Sequence, residues 1–436
     1  MKKVVTAFLV VLSVFLLISC DKDKVNAPTL EYDLNEEVVS KVDAVVEKYM
    51  EDGYFPGAQV LVTKNGKIIF EKAYGYQEKF DMGTEIPSPI ANTMDTLYDL
   101  ASVTKVVATT QSIMKLVYEG KLNVSDKVSS HIPEFAVNGK EDITISELLT
   151  HTSGLPQWNP MFLYSGGDRA KILDYINNTE LMFKRGELYY SDLGFQMLGF
   201  VVEKITGMGM DEYVEKEIYK PLGMTNTVYQ PLKKGFIKDQ IAATSWGNPY
   251  EIAMVDEVNN PGFGYDCVED AEAFATFKGW REYTLDGEVN DGNAGMGGDG
   301  IAGHAGIFST AKDLAILGQL MLNGGSYGKV KLYDEKTIDL FRINHTKESE
   351  RGYGFELDVS YMGDLATLDT FGHNGFTGTH VTFDRSENMQ IIILTNKQNM
   401  GLRQDRTTPA YYSTFTFGKE VANELSDLIF TRKQNS

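Results

Sequence analysis

Ser102, Val103, Thr104 and Lys105 place a serine and a lysine three residues apart at the start of an apolar-striped stretch. On a helix that spacing puts both side chains on one face, where the amine reaches the hydroxyl. A serine becomes a useful nucleophile when a base takes its proton and fixed N–H groups stabilise the oxyanion that forms. An amide in the first helical turn has no intrahelical partner, so the Ser102 N–H can serve as one such donor. A lysine ordinarily titrates near about 10.4, so acting as a base at neutral pH requires burial or neighbouring cations to lower it. Taken alone the pattern is weak, since about one or two chance matches are expected in a chain of this composition. Ser19 to Lys22 straddles an expected cleavage site, and Ser112 to Lys115 lies inside the helix, where the Ser112 amide is already bonded.

Two further clusters accompany Ser102. Tyr190, Ser191 and Asp192 follow Arg185 and Gly186 and precede a helix that Asp192 could cap, and a tyrosine there could relay a proton. With 23 tyrosines in the chain, Y-x-D carries little weight by itself. Further on, His373, Asn374 and Gly375 stand before Phe376, Thr377 and Gly378, where glycines allow close backbone approach to a ligand.

Read in order, Ser102-x-x-Lys105, Tyr190-x-Asp192 and His373-x-Gly375 resemble the three motifs of serine β-lactamases and penicillin-binding proteins. Order and spacing resemble the class C branch, which also holds DD-peptidases and β-lactamase-like esterases. The likeness runs from about Asn35 to Phe430 and includes Glu147 to Pro156 (ELLTHTSGLP) and Gly303 to Leu314 (GHAGIFSTAKDL). It implies Ser102 as nucleophile, Lys105 as its base, Tyr190 as proton relay to the leaving group, and the N–H groups of Ser102 and Phe376 as oxyanion hole. Asp192, His373, Gly375 and Phe376 are the implied substrate-binding positions. Two departures stand out. Asp192 replaces the usual asparagine, exchanging two N–H donors for a charge near the substrate amide. His373 replaces the lysine of K-T-G, exchanging a permanent cation for a group mostly neutral at pH 7. Both argue against efficient penicillin hydrolysis and favour ester or D-peptide substrates.

The elements that must position these residues are legible in outline. Ala58 to Tyr76 alternates apolar positions around Asn65 and Gly66, which predicts a hairpin. Thr379 to Asp384 and Gln390 to Thr395 flank a turn at Arg385 to Asn388, giving a second hairpin before a terminal helix from about Gly418 to Phe430. Between them lie apolar-striped stretches closed by Gly120 and Gly207. The expected fold is therefore α/β (α+β): an antiparallel sheet flanked by helices, with a helical part inserted over roughly 105–325 of a catalytic domain spanning 36–430. The weakly periodic segment 246–300 reads as an insertion or lid beside the site. Within it, Gly295, Gly297 and Gly300 spell G-x-G-x-x-G with no preceding strand and read as a flexible or close-packed loop. Gly324 to Gly328 spells G-x-S-x-G after a helix rather than a strand and reads as a helix stop.

Composition narrows the function. In 436 residues, 41 Lys plus Arg face 61 Asp plus Glu, a formal charge of -20 that repels polyphosphate and disfavours nucleic acid as a partner. Cys20 and Cys267 are the only cysteines, too few for a disulfide scaffold or a thiolate-bound metal. His151 and His304 could be offered as metal ligands, but no paired spacing supports that, and both read as structural; no metal or cofactor is expected. Met1, Lys2 and Lys3 precede an apolar run from Val4 to Ile18, which predicts a secretory signal over 1–19. Leu17, Ile18, Ser19 and Cys20 resemble a lipobox, which implies acylation of Cys20, a polar tether over 20–35, and residence in the bacterial cell envelope, at the outer membrane or cell surface. The sequence thus points to a lipid-anchored serine acyl hydrolase acting on D-alanyl-type peptides or small esters. A weak β-lactamase, or a non-catalytic protein of the same fold that binds a wall peptide, are the competing readings.

Overall fold

The computed structural model describes residues 25–256, 259–260, 263, 271–347, 350–357, 363–364 and 366–429. The expected signal segment, Cys20 and Cys267 lie outside them.

A seven-stranded sheet organises the chain. Its strands are β1 (Glu31–Tyr32), β2 (Gly57–Lys64), β3 (Lys67–Gly75), β4 (Glu356–Leu357), β5 (Thr370–Gly375), β6 (Thr379–Asp384) and β7 (Met389–Thr395), in spatial order β1-β3-β2-β7-β6-β5-β4. Every pairing is antiparallel except β1 on β3. The β2–β3 hairpin turns at Asn65 and Gly66, both with positive φ, as a tight turn of this type requires.

Alternation along the central strands sorts side chains between two cores. Val60, Val62, Ile391 and Ile393 pack with Val38, Val42 and Val46 of α1 (Glu36–Glu51) and with Phe417 and Val421 of a C-terminal helix (Phe415–Glu424). Leu61, Ile392 and Leu394 face the other way, into a large core shared with the helices inserted between β3 and β4. Because both faces are covered, apolar residues occupy successive positions at the centre of these strands, as in Val60-Leu61-Val62 and Ile391-Ile392-Ile393.

The inserted helical part extends to the helix Glu335–Arg342, beyond the expected limit near 325. The terminal helix likewise begins at Phe415, and a short second piece follows at Ser426–Ile429. Residues 27–35 belong to the fold rather than to a free tether. Ala27 bridges Gly328, Glu31–Tyr32 adds an edge strand, and the Asn35 carboxamide caps α1 by accepting from the N–H groups of Glu37 and Val38. Polar composition suggested a linker there, but edge pairing uses backbone groups and needs no apolar side chains.

Candidate active site

Ser102 lies in a 3-10 turn, Ala101–Val103, that runs through a π turn, Lys105–Thr109, into the α-helix Thr110–Tyr118. The sequence pattern suggests a uniform α-helix; the observed winding is tighter around Ser102 and wider from Lys105 onward. Ala101 just ahead of the serine has φ +45°, which strains a side-chain-bearing residue. The surroundings hold it there: Asp99 Oδ1 accepts the Ala101 N–H at 2.8 Å, and the Thr377 and Thr379 hydroxyls donate to the carbonyls of Asp99 and Leu100. Burial raises the Asp99 carboxyl to about 6.

Lys105 is fully buried, and its Nζ sits 2.9 Å from Ser102 Oγ, 3.3 Å from the His304 carbonyl and 2.6 Å from Asp192 Oδ1. Burial, the largest single influence, pushes the Lys105 pKa down. The Asp192 carboxylate and Tyr190 hydroxyl outweigh it, and the group is held above the ordinary lysine value. The lowering by burial or neighbouring cations that a lysine base requires is not met here, because the nearest charge is an anion.

Asp192 was expected to cap the following helix. Ser191 does so instead, its Oγ accepting the Gly194 N–H, and Asp192 becomes the first residue of the helix Asp192–Thr206 with its carboxylate free for Lys105. The turn carrying Tyr190 is cradled by the ELLTHTSGLP stretch. The Ser191 N–H donates to His151 Nδ1 at 3.0 Å, the Ser191 hydroxyl donates to the Pro156 carbonyl, and the His151 ring packs on Tyr190 with centroids 4.3 Å apart. His151 is kept well below its ordinary pKa by burial and then by Arg351 and Lys105, so it works as a neutral spacer. The Tyr190 ring lies 4.9 Å from Lys105 Nζ; burial raises the phenol pKa, and the ammonium only partly offsets this.

A cavity of about 410 Å³ opens at these groups. Ser102, Tyr190, Asp192, Asn374, Phe376 and Arg351 are among its lining residues, with apolar wall from Trp158, Tyr250 and Met254. Segment 246–300 contributes Tyr250, Glu251, Met254, Asn290 and Asp291, so its described parts wall the site. Two implied substrate-binding positions are not among its lining residues, although the His373 ring lies 6.1 Å from that of Tyr190. His373 is 1% exposed and lies off the cavity wall, with its Nδ1–H donating to the Asn374 carbonyl and its Nε2 buried without a hydrogen bond. Strand alternation turns Asn374 outward in its place. Burial lowers the His373 pKa to about 4. Gly375 is also off the wall: a Cβ there would meet the Leu100 carbonyl at 2.4 Å, so the glycine permits contact between β5 and the loop before Ser102, not approach to a ligand.

Arg351 escaped the sequence reading because a lone arginine carries no spacing signal. Its guanidinium pairs with Glu356 at 3.0 Å, lies 5.6 Å from the Tyr190 ring centroid and keeps Nη1 without a hydrogen bond among the described residues. Glu356 in turn accepts from the Asn374 amide at 2.9 Å. The cavity therefore holds a cation, Arg351, on the loop before β4 rather than at the third-motif position His373.

Asp192, Asp291 and His304 each bring one possible metal-ligand atom within 4.8 Å of the others. These atoms are already used: His304 Nε2 lies 2.9 Å from Asp291 Oδ1, which also accepts the Ala294 N–H, and Asp192 holds Lys105. The cluster is one hydrogen-bonded pair, His304 with Asp291, beside the Asp192–Lys105 ion pair. Gly295 and Gly297, expected in a loop, lie in the helix Gly292–Gly298, where a Cβ would press on Arg281 and Ile172, and Gly300 follows it. Gly324 and Gly325 follow a helix, Ala311–Leu322, as expected of a helix stop.

With that geometry described, comparisons with known proteins are informative. The sequence profile of the β-lactamase family matches residues 42–411. A Salmonella agona protein named provisionally as a D-alanyl-D-alanine carboxypeptidase is 35% identical over 428 residues, covering 92% of this chain and 94% of its own. Among solved structures, a penicillin-binding protein homologue from Caulobacter crescentus superposes with TM-score 0.65 at 20% identity, covering 90% of this chain and 98% of its own. A β-lactamase/D-alanine carboxypeptidase from Pseudomonas syringae gives TM-score 0.62 at 17% identity, covering 90% and 99%.

Proposed function

This chain belongs to the β-lactamase family and is a serine hydrolase of that fold; from that premise we propose that it cleaves D-alanyl-type peptides ending in a free carboxylate, through an acyl-enzyme on Ser102. The observation that carries the substrate class is Arg351, a cation that lines the same cavity as Ser102. A guanidinium suits a planar carboxylate. In this reading Ser102 Oγ attacks the peptide carbonyl, Lys105 receives its proton, and the N–H groups of Ser102 and Phe376 stabilise the oxyanion. Tyr190, beside both Ser102 and Lys105, then protonates the departing D-alanine amine. Water releases the acyl group by the same steps reversed. The aromatic wall of Trp158, Tyr250 and Phe376 favours a second reading, small hydrophobic esters. We place the protein in the cell envelope, exported and held by lipid on Cys20.

Intact-mass analysis after exposure to a fluorophosphonate or a penicillin tests the enzyme. An adduct is expected on wild type and on Ser112→Ala, whose Ser112 Oγ is buried and donates to the Ala108 carbonyl, and none on Ser102→Ala. Absence of any wild-type adduct would leave a non-catalytic peptide binder. Turnover of a D-alanyl-D-alanine peptide faster than a nitrophenyl ester or a chromogenic cephalosporin is the expected substrate ranking; the reverse would favour an esterase or a weak β-lactamase.

A further inference from the structure

We propose that Asp192 is the final acceptor in the activation of Ser102, taking a proton from Lys105 as Lys105 takes the hydroxyl proton. The proposal rests on the reading of Ser102 as nucleophile and deepens it.

Four oxygens lie around the Lys105 amine: Ser102 Oγ, the His304 carbonyl, the Tyr190 hydroxyl and, as an ion pair at 2.6 Å, Asp192 Oδ1. An ammonium has three N–H donors and no lone pair, so its protons are all taken up by these neighbours. Lys105 as placed therefore gives a hydrogen bond to Ser102 and has nothing with which to remove its proton. It gains that capacity by passing a proton on. The carbonyl cannot hold one, and the Tyr190 phenol already carries its own, leaving the carboxylate at 2.6 Å as the acceptor. The surrounding structure directs this oxygen. Ser191 takes the capping role, which leaves the Asp192 carboxylate to face Lys105.

The step balances. The Ser102 O–H bond breaks as the bond from Oγ to the acyl carbon forms, and the proton moves to Nζ. One Nζ proton moves to Asp192 Oδ1. Lys105 ends as the ammonium it was and Asp192 becomes a neutral acid; a departing amine takes a proton from Tyr190, which is refilled from Asp192 through Lys105, whereas a nitrophenolate leaves unprotonated and Asp192 loses its proton to solvent. Of the other ionisable groups facing the pair, His151 and His373 are held neutral by burial, Asp291 stays ionised through its His304 bond, and Arg351 pairs with Glu356. Tyr190 remains a phenol.

The test is the burst of nitrophenolate from a p-nitrophenyl ester with the full chain between pH 5 and 10; this leaving group needs no protonation, so the burst rate reports serine activation alone. Wild type is expected to reach its plateau below neutrality. Asp192→Asn should lose at least about tenfold at pH 7 and regain rate only at alkaline pH, where Lys105 can lose a proton to solvent. Asp192→Glu should restore the low-pH plateau, which a purely structural role would not do. An Asp192→Asn burst that matches wild type at pH 7, or a rising limb displaced to lower pH, overturns the proposal: either result would mean that Asp192 only holds Lys105 protonated. A wild type with no Ser102-dependent burst overturns the proposed function itself, whereas a burst indifferent to Asp192 overturns this inference alone.

Discussion

Replacing Arg351 with glutamine should separate substrates by their charge. Glutamine keeps an amide N–H that can reach Glu356 and removes the cation. A charge-assisted hydrogen bond contributes about 1.5–3 kcal/mol, or roughly tenfold to a hundredfold in kcat/KM. The lower end applies, because Glu356 at 3.0 Å already neutralises part of the guanidinium, and the expected loss is about tenfold for a carboxylate substrate. Glu356 is itself buried and keeps the Asn374 amide as a donor, which limits damage to the wall. The assay compares N-acyl-D-alanyl-D-alanine with the same peptide bearing a C-terminal amide. Arg351 also lies over the Tyr190 ring, so a displaced tyrosine would slow both substrates alike; the ratio of the two losses isolates the carboxylate contact. Equal losses for acid and amide would refute the placement of the substrate carboxylate at Arg351 and remove the main support for a carboxypeptidase.

His373 supplies a pH dependence of stability. Its folded pKa, about 4, lies below the unfolded value near 6.5, so the unfolded chain binds the proton first. The contribution is complete above pH 6.5 and lost as pH falls towards 4, on the order of 3 kcal/mol; thermal melts should show Tm falling across that window, and His373→Asn should flatten the fall. Cys20→Ala should move the protein from the membrane fraction to the soluble one, since among the described residues no helix is long and apolar enough to cross a membrane. Retention on membranes after a high-salt wash would defeat lipid anchoring.

What the sequence revealed and what it hid divide along the range of the interactions. Both hairpins were legible because alternation and turn residues are local, and Ser102 with Lys105 because one helical turn fixes their meeting. The Asp192 partner was hidden: Ser191 and Asp192 are both good caps, and only packing against Pro156 and His151 selects Ser191. The third motif offered only a neutral His373 where the family has a cation, and the cation that lines the cavity is Arg351, whose place depends on β4 folding back beside β5. The glycines of 292–298 argued against a helix by propensity, yet crowding by Ile172 and Arg281 leaves no room for larger side chains.

The pinning of residues 27–35 sets a working radius. An anchored Cys20 followed by slack as far as Asn35 would let the body roam about 54 Å from its lipid. With Ala27 bridged to Gly328, seven peptide units separate Cys20 from the fold, so a lipid on Cys20 would hold the body on a leash of about 25 Å. Such a leash would keep the catalytic mouth to a thin shell beside the bilayer rather than the depth of the wall.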